Sequence, residues 1–329
     1  MSQQAALSLS TVVKGFLFTQ SAEGRTQATI DYYAGNFKRF IWYAQNHGWP
    51  DDIRLIDAWK MREFLAYAGT ASNRWGATGN GSENCRMPSK TAGWRYYRTL
   101  RALFKWAVAE RIIDVNPMAN VKVLAPKQQP VDPYSLQELK QLIAVCDADI
   151  ATPGDFFTGH RNKAIILLYV DSGMRFSELA NLKMVELDLE KGRALVHGKG
   201  GYDRFVVFNA GTKKTLWKYL AYREKRVKGT ASQWLWVTEE GNRLTPDGLH
   251  AAFRRVKQRS GVTTPGLIHR FRHTFAVNAL RQLKDPFMLQ LLLGHKTIEM
   301  TRRYTQGLKL EEALSAMATA SPVNFLGLG

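Results

Sequence analysis

The feature that most restricts how this chain can fold is one proline-rich segment, VNPMANVKVLAPKQQPVDPYS, at residues 115–135. Its four prolines each remove a backbone donor and fix φ, so no stable helix can run through it. A chain of 329 residues has room for about two domains. We therefore predict an N-terminal domain over 1–121, a linker over 122–133, a second domain over 134–308 and a tail over 309–329.

Apolar residues recur at helical spacing before this segment. The patterns predict helices over residues 28–48, 54–68 and 94–111. Residues 70–93, between the second and third helices, are rich in Gly, Ser and Asn and are predicted to form a loop, a long one for a compact domain. The first domain is therefore predicted to be helical.

After the linker, the patterns predict helices and one β-hairpin. Ser135 and Glu138 form a capping-box pattern, and a later helical stretch is broken near Ser172–Gly173. The segment GRALVHGKGGYDRFVVF predicts two antiparallel strands with a glycine-rich turn at 198–201. Further helices are predicted over 212–226, 246–259, 270–283 and 285–295. The predicted fold class is mainly α with a small antiparallel β-sheet.

The charge of the chain points to an anionic partner. Lys and Arg total 46 against 28 Asp and Glu, a net charge of +18. The excess is +7 over residues 1–125 and +11 over the rest, so both halves are basic. This balance favours two lobes that grip one polyanion over a surface that is merely well solvated.

Cysteine usage and hydropathy bear on the compartment. The two cysteines, Cys85 and Cys146, form no CxxC pair, which argues against a disulfide framework and a zinc site and suits a reducing cytosol. The first residues lack a signal-peptide pattern, and no run of about 18 apolar residues exists that would cross a membrane. The sequence therefore predicts a cytoplasmic protein.

The third predicted helix has one basic face. Arg95, Arg98, Arg101 and Lys105 recur at spacings of three and four, opposite an apolar face. Such a face is often only solvated. On a chain this basic, it also predicts contact with DNA phosphates.

A second basic cluster lies in the segment LIHRFRHTFAVNAL. His269, Arg270, Arg272 and His273 fall within five positions, and His269, Arg272 and His273 share one helical face. Neighbouring cations repel, so the cluster requires water or a shared anion. We predict that a phosphate fills this role, and that the cluster is strained or poorly ordered without it.

Other residues in the second half carry chemistry. Arg175 in DSGMRFSEL has Glu178 one turn on, and Lys199 lies in the predicted hairpin turn. His295 follows LLLG, and Tyr304 lies in TRRYTQ. Singly, each also fits ordinary structure, as an intrahelical ion pair, a surface lysine, a helix cap or a core tyrosine.

Together these residues form one chemical set. Two arginines suit a bidentate grip on the oxygens of a phosphate, and imidazoles can donate to it or move protons. A lysine on a turn can protonate a leaving oxygen, and a tyrosine hydroxyl can attack phosphorus. No acidic pair is placed in the sequence to hold magnesium. The set predicts phosphoryl transfer through a covalent phosphotyrosine, with no metal and no cofactor.

The order and spacing of these motifs resemble the tyrosine recombinases, also called the phage integrase family. The motifs here are GMRFSEL, HGKGGYDR, HRFRHTFA and LLLGHKTIEMTRRY. The resemblance covers residues 135–310 closely and residues 8–115 less specifically. It implies a helical core-binding (SAM-like) domain followed by a mixed α/β catalytic domain, which together form a C-shaped clamp on DNA.

The resemblance also implies roles for single residues. Arg175 and Arg272 would clamp the scissile phosphate, and His295 would hydrogen-bond it. Lys199 would be the general acid on the 5′ oxygen, and His269 would assist proton transfer with the tyrosine.

Further roles follow in the same way. Tyr304 would be the nucleophile and would form a 3′-phosphotyrosyl bond. Glu178 would orient its neighbours, and His273 would have a supporting role.

The chain resembles the simple two-domain Xer and Cre type. The first core-like helix is expected to begin by about residue 26, with no room before it for an arm-binding domain. The type implies an enzyme of bacteria, phages or mobile elements. It would be a monomer or weak oligomer alone and a homotetramer on paired, inverted core sites. The reaction would proceed through a Holliday junction, and accessory directionality proteins could take part. The tail over 309–329 would dock on a neighbouring subunit or on its own.

Two other functions are compatible with part of these residues. A type IB topoisomerase uses nearly the same active site, but works as a monomer without a defined site. A DNA-binding accessory protein could keep the fold without the chemistry. The hairpin lysine, the HxxRH box and the tail favour a recombinase over a topoisomerase. The intact tyrosine and both arginines argue against a protein that only binds DNA.

Overall fold

The computed structural model describes residues 7–71, 91–126, 132–198, 203–227 and 233–305. The chain divides into two compact units, residues 1–128 and 129–329. Cys85, Lys199, the tail over 309–329 and part of the predicted linker lie outside the described residues. No helix in the described ranges is long and apolar enough to cross a membrane.

The N-terminal unit is helical, as the sequence predicts. Its helices are α1 (Leu9–Ala22), α2 (Gln27–Asn46), α3 (Ala58–Thr70) and α4 (Ala92–Ala109). Phenylalanine and tyrosine rings from all four helices are buried in one core, among them Phe16, Phe37, Phe64 and Tyr96. Edge-to-face ring contacts such as Phe64–Tyr96, with centroids 5.3 Å apart, hold this core together.

The sequence patterns missed one helix, because α1 begins at Leu9, ahead of the first predicted helix over residues 28–48. The side chain of Ser8 accepts a hydrogen bond from the backbone N–H of Thr11 and caps this helix. The β-branched run Thr11–Val13 has low intrinsic helix propensity. Burial of Val12 and Phe16 against the other helices outweighs that propensity.

The second predicted helix, over residues 54–68, begins later than predicted. Residues Ile53–Leu55 form a 3₁₀ turn, and Asp57 accepts a hydrogen bond from the backbone N–H of Lys60 to start α3 at Ala58. The capping aspartate therefore sets the start of this helix, although the apolar pattern extends further back.

The C-terminal unit combines helices with a small sheet, which confirms the predicted fold class. Its helices are α5 (Leu136–Ala151), α6 (Phe156–Ser172), α7 (Phe176–Ala180), α8 (Ala210–Glu224), α9 (Pro246–Arg259), α10 (Ile268–Leu283), α11 (Pro286–Leu293) and α12 (Glu299–Thr305). The sheet has the order β1 (Leu187–Asp188), β2 (Arg193–His197) and β3 (Asp203–Val207), with antiparallel neighbours. Helix α6 packs against α5, α8 and α10 at the centre of the unit.

The predicted hairpin is confirmed as β2 and β3. Ala194 pairs with Val206, and Val196 pairs with Arg204. Alternate side chains of a strand share a face, so Ala194, Val196 and Val206 are all buried on the core side.

Arg270 corrects the interpretation of the basic cluster in α10. Its two terminal nitrogens donate to the two carboxylate oxygens of Glu138 at 2.9 Å each, and its guanidinium lies 4.1 Å from the ring centre of Tyr134. Glu138 also completes the predicted capping box with Ser135. The prediction that a shared anion balances the whole cluster is therefore wrong for Arg270, whose charge a carboxylate neutralises within the fold.

The Arg270–Glu138 pair is expected to make folding pH-dependent. Burial alone would raise the pKa of Glu138, but hydrogen bonds from Arg270, Thr264 and the backbone of Ser135 lower it to about 2. A depressed pKa stabilises the fold above the ordinary carboxyl pKa, and this stabilisation disappears as the pH falls from about 4.5 to about 2. Glu138→Gln is expected to lower the unfolding free energy by about 3 kcal/mol near neutral pH.

Urea unfolding of the wild type and of Glu138→Gln at a series of pH values checks this expectation. The difference in unfolding free energy between the wild type and Glu138→Gln should become smaller as the pH falls toward 2. The exposed Glu224 offers a matched control, since Glu224→Gln should track the wild type at every pH. A difference in unfolding free energy that stayed constant across the acid range would show that the Arg270–Glu138 pair does not make folding pH-dependent.

Candidate active site

The break predicted near Ser172–Gly173 organises one side of the site. Helix α6 ends at Gly173, which has φ of +60°, a left-handed conformation that glycine adopts without strain. A Cβ built at Gly173 would lie 2.1 Å from Cδ1 of Phe275. Glycine thus allows the chain to turn and to place Arg175 immediately before α7.

Arg175 is held by α7 and by the end of α11. Its Nη1 donates to Oε1 of Glu178 at 2.9 Å, and its backbone N–H donates to Oε2 at 2.6 Å. Its Nη2 donates to the carbonyl of Gly294 at 2.8 Å. Its side chain is 30% exposed, so Arg175 is less deeply enclosed than Glu178, whose side chain is 2% exposed.

Arg272 on α10 is almost fully buried at the same place. Its Nη1 donates to the carbonyl of Gly173 at 2.7 Å, and its Nη2 donates to the carbonyl of Leu293 at 2.9 Å. Burial lowers the pKa of Arg272 to about 10, which still leaves it charged near neutral pH. Neutral carbonyls accept hydrogen bonds from a buried cation without cancelling its unit charge, so Arg272 can still attract an anion.

His295 follows Gly294, which ends α11 in a left-handed conformation. Nε2 of His295 lies 3.0 Å from Nη2 of Arg272, and Nδ1 lies 2.9 Å from Oγ1 of Thr301. A guanidinium only donates, so Nε2 accepts here and the ring hydrogen of the neutral tautomer sits on Nδ1. This arrangement fixes the imidazole against Arg272.

Tyr304 lies in α12 beside these groups. Its ring stacks on His295 with an interplanar angle of 6° and lies 5.3 Å from the ring of His273. Only 2% of the residue is exposed, and its ring packs with Leu280 and Leu293. Helix α12 was not among the predicted elements, because its seven residues are too short for a hydrophobic period to identify.

The remaining predicted residues occupy different positions. His269 is exposed in the first turn of α10, four residues before the half-buried His273. Lys199 is among the residues that the structure leaves undescribed, so its predicted role is not placed. The structure thus brings together Arg175, Glu178 and Arg272 with His295 and Tyr304.

Arg204 is a site residue that the sequence reasoning missed. It lies on β3, and its Nη1 and Nη2 donate to the two oxygens of Glu178 at 2.9 Å each. Burial opposes ionisation of Glu178, but hydrogen bonds from Arg204 and Arg175 outweigh it and hold the pKa of Glu178 below its usual range. The available signal was strand alternation, which places Arg204 on the same face as the buried Val206.

The basic face of α4 lies in the N-terminal unit. Arg98, Arg101 and Lys105 are exposed there and line a shallow groove with Trp94 and Tyr97. Arg95 differs from the other three. It is half-buried, and its Nη2 donates to the hydroxyl of Tyr96 at 3.1 Å.

No group of three or more His, Cys, Asp or Glu side chains is placed to hold a metal ion in the part of the chain that the structure describes. The carboxylate of Glu178 is occupied by two arginines. The charges at this site are arranged to bind an anion.

The chain is similar to known recombinases in sequence. A model of the phage integrase family matches residues 135–311. Tyrosine recombinase XerC of Bacillus pumilus is 34% identical over 212 residues, which are 63% of this chain and 67% of that protein. Tyrosine recombinase XerD of Ralstonia nicotianae is 28% identical over 290 residues, 86% of this chain and 85% of that protein.

Solved structures share the fold. XerH site-specific recombinase, in a post-cleavage complex with a palindromic difH substrate, has a TM-score of 0.66 at 22% identity and covers 95% of this chain and 85% of its own. A lambda integrase tetramer bound to a Holliday junction has a TM-score of 0.67 at 18% identity, and the match covers 94% of this chain and 80% of the integrase chain. With a family match over more than half its length, the chain belongs to the phage integrase family, the tyrosine recombinases, which are enzymes of site-specific recombination.

Proposed function

We propose that this chain breaks and rejoins DNA strands at specific sites, with Tyr304 as the nucleophile. The observation that carries the proposal is the convergence of two arginines, one imidazole and one tyrosine at a single place, around the end of α11. Two guanidiniums beside a tyrosine form a site for a phosphodiester next to a group that can attack it.

The proposed reaction is a pair of transesterifications. The oxygen of Tyr304 attacks phosphorus, a 3′-phosphotyrosyl bond forms, and the bond from phosphorus to the 5′ oxygen breaks. Lys199 protonates the departing 5′ oxygen, and His269 assists removal of the tyrosine proton. The 5′ hydroxyl of a partner strand then attacks the phosphotyrosine and releases Tyr304, so no external energy source is required.

The charged groups act on the phosphate rather than on the proton. Arg175 and Arg272 neutralise the negative charge that increases as phosphorus becomes five-coordinate. His295 accepts from Arg272 in the structure. On DNA binding we propose that its ring hydrogen moves to Nε2, which then donates to the phosphate, while the Thr301 hydroxyl donates to Nδ1. His273 supports the tyrosine ring. No metal ion takes part in these steps.

Basic residues on α4 are proposed to contact the DNA backbone. Arg101→Ala is expected to weaken binding to duplex DNA several-fold and to reduce the slope of log affinity against log salt by about 0.9, one phosphate contact. Fluorescence anisotropy between about 50 and 200 mM salt measures this slope. Lys14→Ala, on the exposed side of α1, is the control and should leave the slope unchanged.

Arg95 should contribute less to binding than Arg98, Arg101 or Lys105, because Tyr96 already holds its guanidinium. If Arg95→Ala changed the salt slope as much as Arg101→Ala, the assignment of the exposed face to DNA would be wrong.

The active assembly is proposed to be a homotetramer on paired, inverted core sites. It would assemble from monomers or weak oligomers and recombine the sites through a Holliday junction. The tail over 309–329 would dock on a neighbouring subunit. Lambda integrase is known as a tetramer on such a junction. The proposed location is the bacterial cytoplasm, where the DNA lies. Accessory proteins that set the direction of recombination are compatible with this assembly.

Covalent trapping tests the proposed function. The protein is mixed with nicked or randomised duplex DNA in EDTA, adducts are isolated on denaturing gels, and the modified peptide and the attached DNA are sequenced. The expected adduct joins Tyr304 to a 3′ phosphate beside a shared flanking sequence. Adducts without any shared sequence would indicate a topoisomerase, and tight binding without adduct would indicate a DNA-binding protein.

A further inference from the structure

Three arginines hold three successive carbonyl groups at the end of α11. Arg204 Nε donates to the carbonyl of Leu292 at 3.3 Å. Arg272 and Arg175 donate to the next two carbonyls, those of Leu293 and Gly294, at 2.9 and 2.8 Å. The last carbonyls of a helix lack partners within the helix and carry partial negative charge, so they attract cations. The helix end therefore holds a third arginine beside the two proposed for the phosphate.

Arg204 differs from the other two arginines in its second partner. Its Nη1 and Nη2 form a forked pair with both oxygens of Glu178. Only 13% of the Arg204 side chain and 2% of the Glu178 side chain are exposed. A Cβ added at Gly294 would lie 3.0 Å from Cδ of Arg204, so this side chain is also closely packed. Arg204 is thus fixed between Glu178 and the end of α11, with little of its side chain exposed.

The carboxylate of Glu178 accepts hydrogen bonds from both Arg175 and Arg204. Each of its oxygens accepts one hydrogen bond from Arg204 and one from Arg175. A carboxylate carries one negative charge, so the group of two arginines and one glutamate retains one positive charge. Without Arg204, the buried Glu178 would cancel the charge of Arg175 and would draw its guanidinium away from a phosphate.

We propose that Arg204 is a positioning residue for DNA cleavage. By neutralising Glu178, it leaves the charge of Arg175 available to the scissile phosphate, and it ties the hairpin strand β3 to the helix end beside His295. This proposal rests on the proposed function, and it deepens that function by assigning a residue that acts on the phosphate only through Arg175.

The test compares a charged with an uncharged phosphate. The probe is a nicked duplex that carries the flanking sequence recovered from wild-type adducts, with either a phosphodiester or a methylphosphonate at the cleaved linkage. The methyl group replaces a charged phosphate oxygen and so removes the negative charge that Arg175 is proposed to neutralise. Single-turnover adduct formation is measured for the wild type and for Arg175→Ala, Arg204→Met and Arg204→Lys.

Arg204→Met is expected to form adduct about 100-fold more slowly than the wild type on the phosphodiester, a loss typical of a misplaced reacting group. On the methylphosphonate this loss should shrink to within about tenfold, in parallel with Arg175→Ala. Arg204→Lys keeps the charge but not the fork, so it should lose only about tenfold on the phosphodiester. DNA affinity should match the wild type, because little of the Arg204 side chain is exposed and Glu178 already binds its guanidinium.

Arg193→Met is the matched control on the neighbouring strand. Arg193 pairs with Asp188 at 3.1 Å and lies over the ring of Phe205, with no part in the Glu178 cluster. Its replacement should change adduct formation less than about twofold on either probe, as expected for a half-exposed ion pair.

Two outcomes would overturn the proposal. Wild-type adduct formation by Arg204→Met would show that Arg204 does not position Arg175. An equal loss on both probes would show general damage to the hairpin or the fold. Failure of the proposed function is seen separately, since then the wild type itself would form no adduct on the phosphodiester.

Discussion

Tyr304→Phe is expected to abolish the covalent protein–DNA adduct, a loss of about 10⁴-fold or more, because no other group takes over from a deleted nucleophile. DNA binding should stay at the wild-type level. The substitution removes only the hydroxyl, and the ring keeps its packing against Leu280 and Leu293 and its stacking on His295.

Tyr169 offers a matched control in the same unit. It is as deeply buried as Tyr304, and its hydroxyl has no hydrogen-bond partner among the residues that the structure describes. Tyr169→Phe should therefore form adduct at the wild-type rate. Adduct formation by Tyr304→Phe would assign the nucleophile to another residue and would refute the proposed mechanism.

Arg272→Lys is expected to slow adduct formation by about 10³-fold, the upper range for the loss of one charged donor at a reacting centre. Lysine keeps the charge, but a single ammonium cannot reproduce the planar fork that contacts the carbonyls of Gly173 and Leu293 and Nε2 of His295. Single-turnover cleavage at saturating protein separates this effect from weaker DNA binding.

Arg270→Lys is the control on the same helix. Arg270 is neutralised by Glu138, outside the site, so its replacement should lower stability and leave the cleavage rate of the folded protein unchanged. If Arg272→Lys cleaved within about threefold of the wild type, a forked grip of Arg272 on the phosphate would be excluded.

Several elements could be predicted because their causes lie within one turn or one hairpin. The side chains of Ser135 and Glu138 are three residues apart and cap α5 as predicted. The alternation in RALVH and DRFVV predicts the hairpin, and Gly173 ends α6 at the predicted break. Each signal acts between close neighbours in sequence, where spacing alone decides which groups meet.

The partners of the arginines could not be predicted in the same way. Arg270 and Arg272 both lie in HRFRH, and the sequence singles out Arg272 for the phosphate without showing which group Arg270 meets. Arg270 meets Glu138, 132 residues earlier, whereas Arg272 meets only neutral carbonyls and His295. Arg204 meets Glu178, 26 residues earlier. Strand alternation places Arg204 on the same face as the buried Val206, but it does not show which carboxylate Arg204 meets.

The sequence by itself determined the family, the hairpin, most of the longer helices and the types of residue that the chemistry requires, because motif spacing, capping and periodicity act locally along the chain. Only the tertiary structure decided which cations are neutralised and which retain charge for a ligand. That decision depends on Coulomb interactions and hydrogen bonds over a few ångströms between residues far apart in the chain, which exist only after α6, α10, α11 and β3 have packed together.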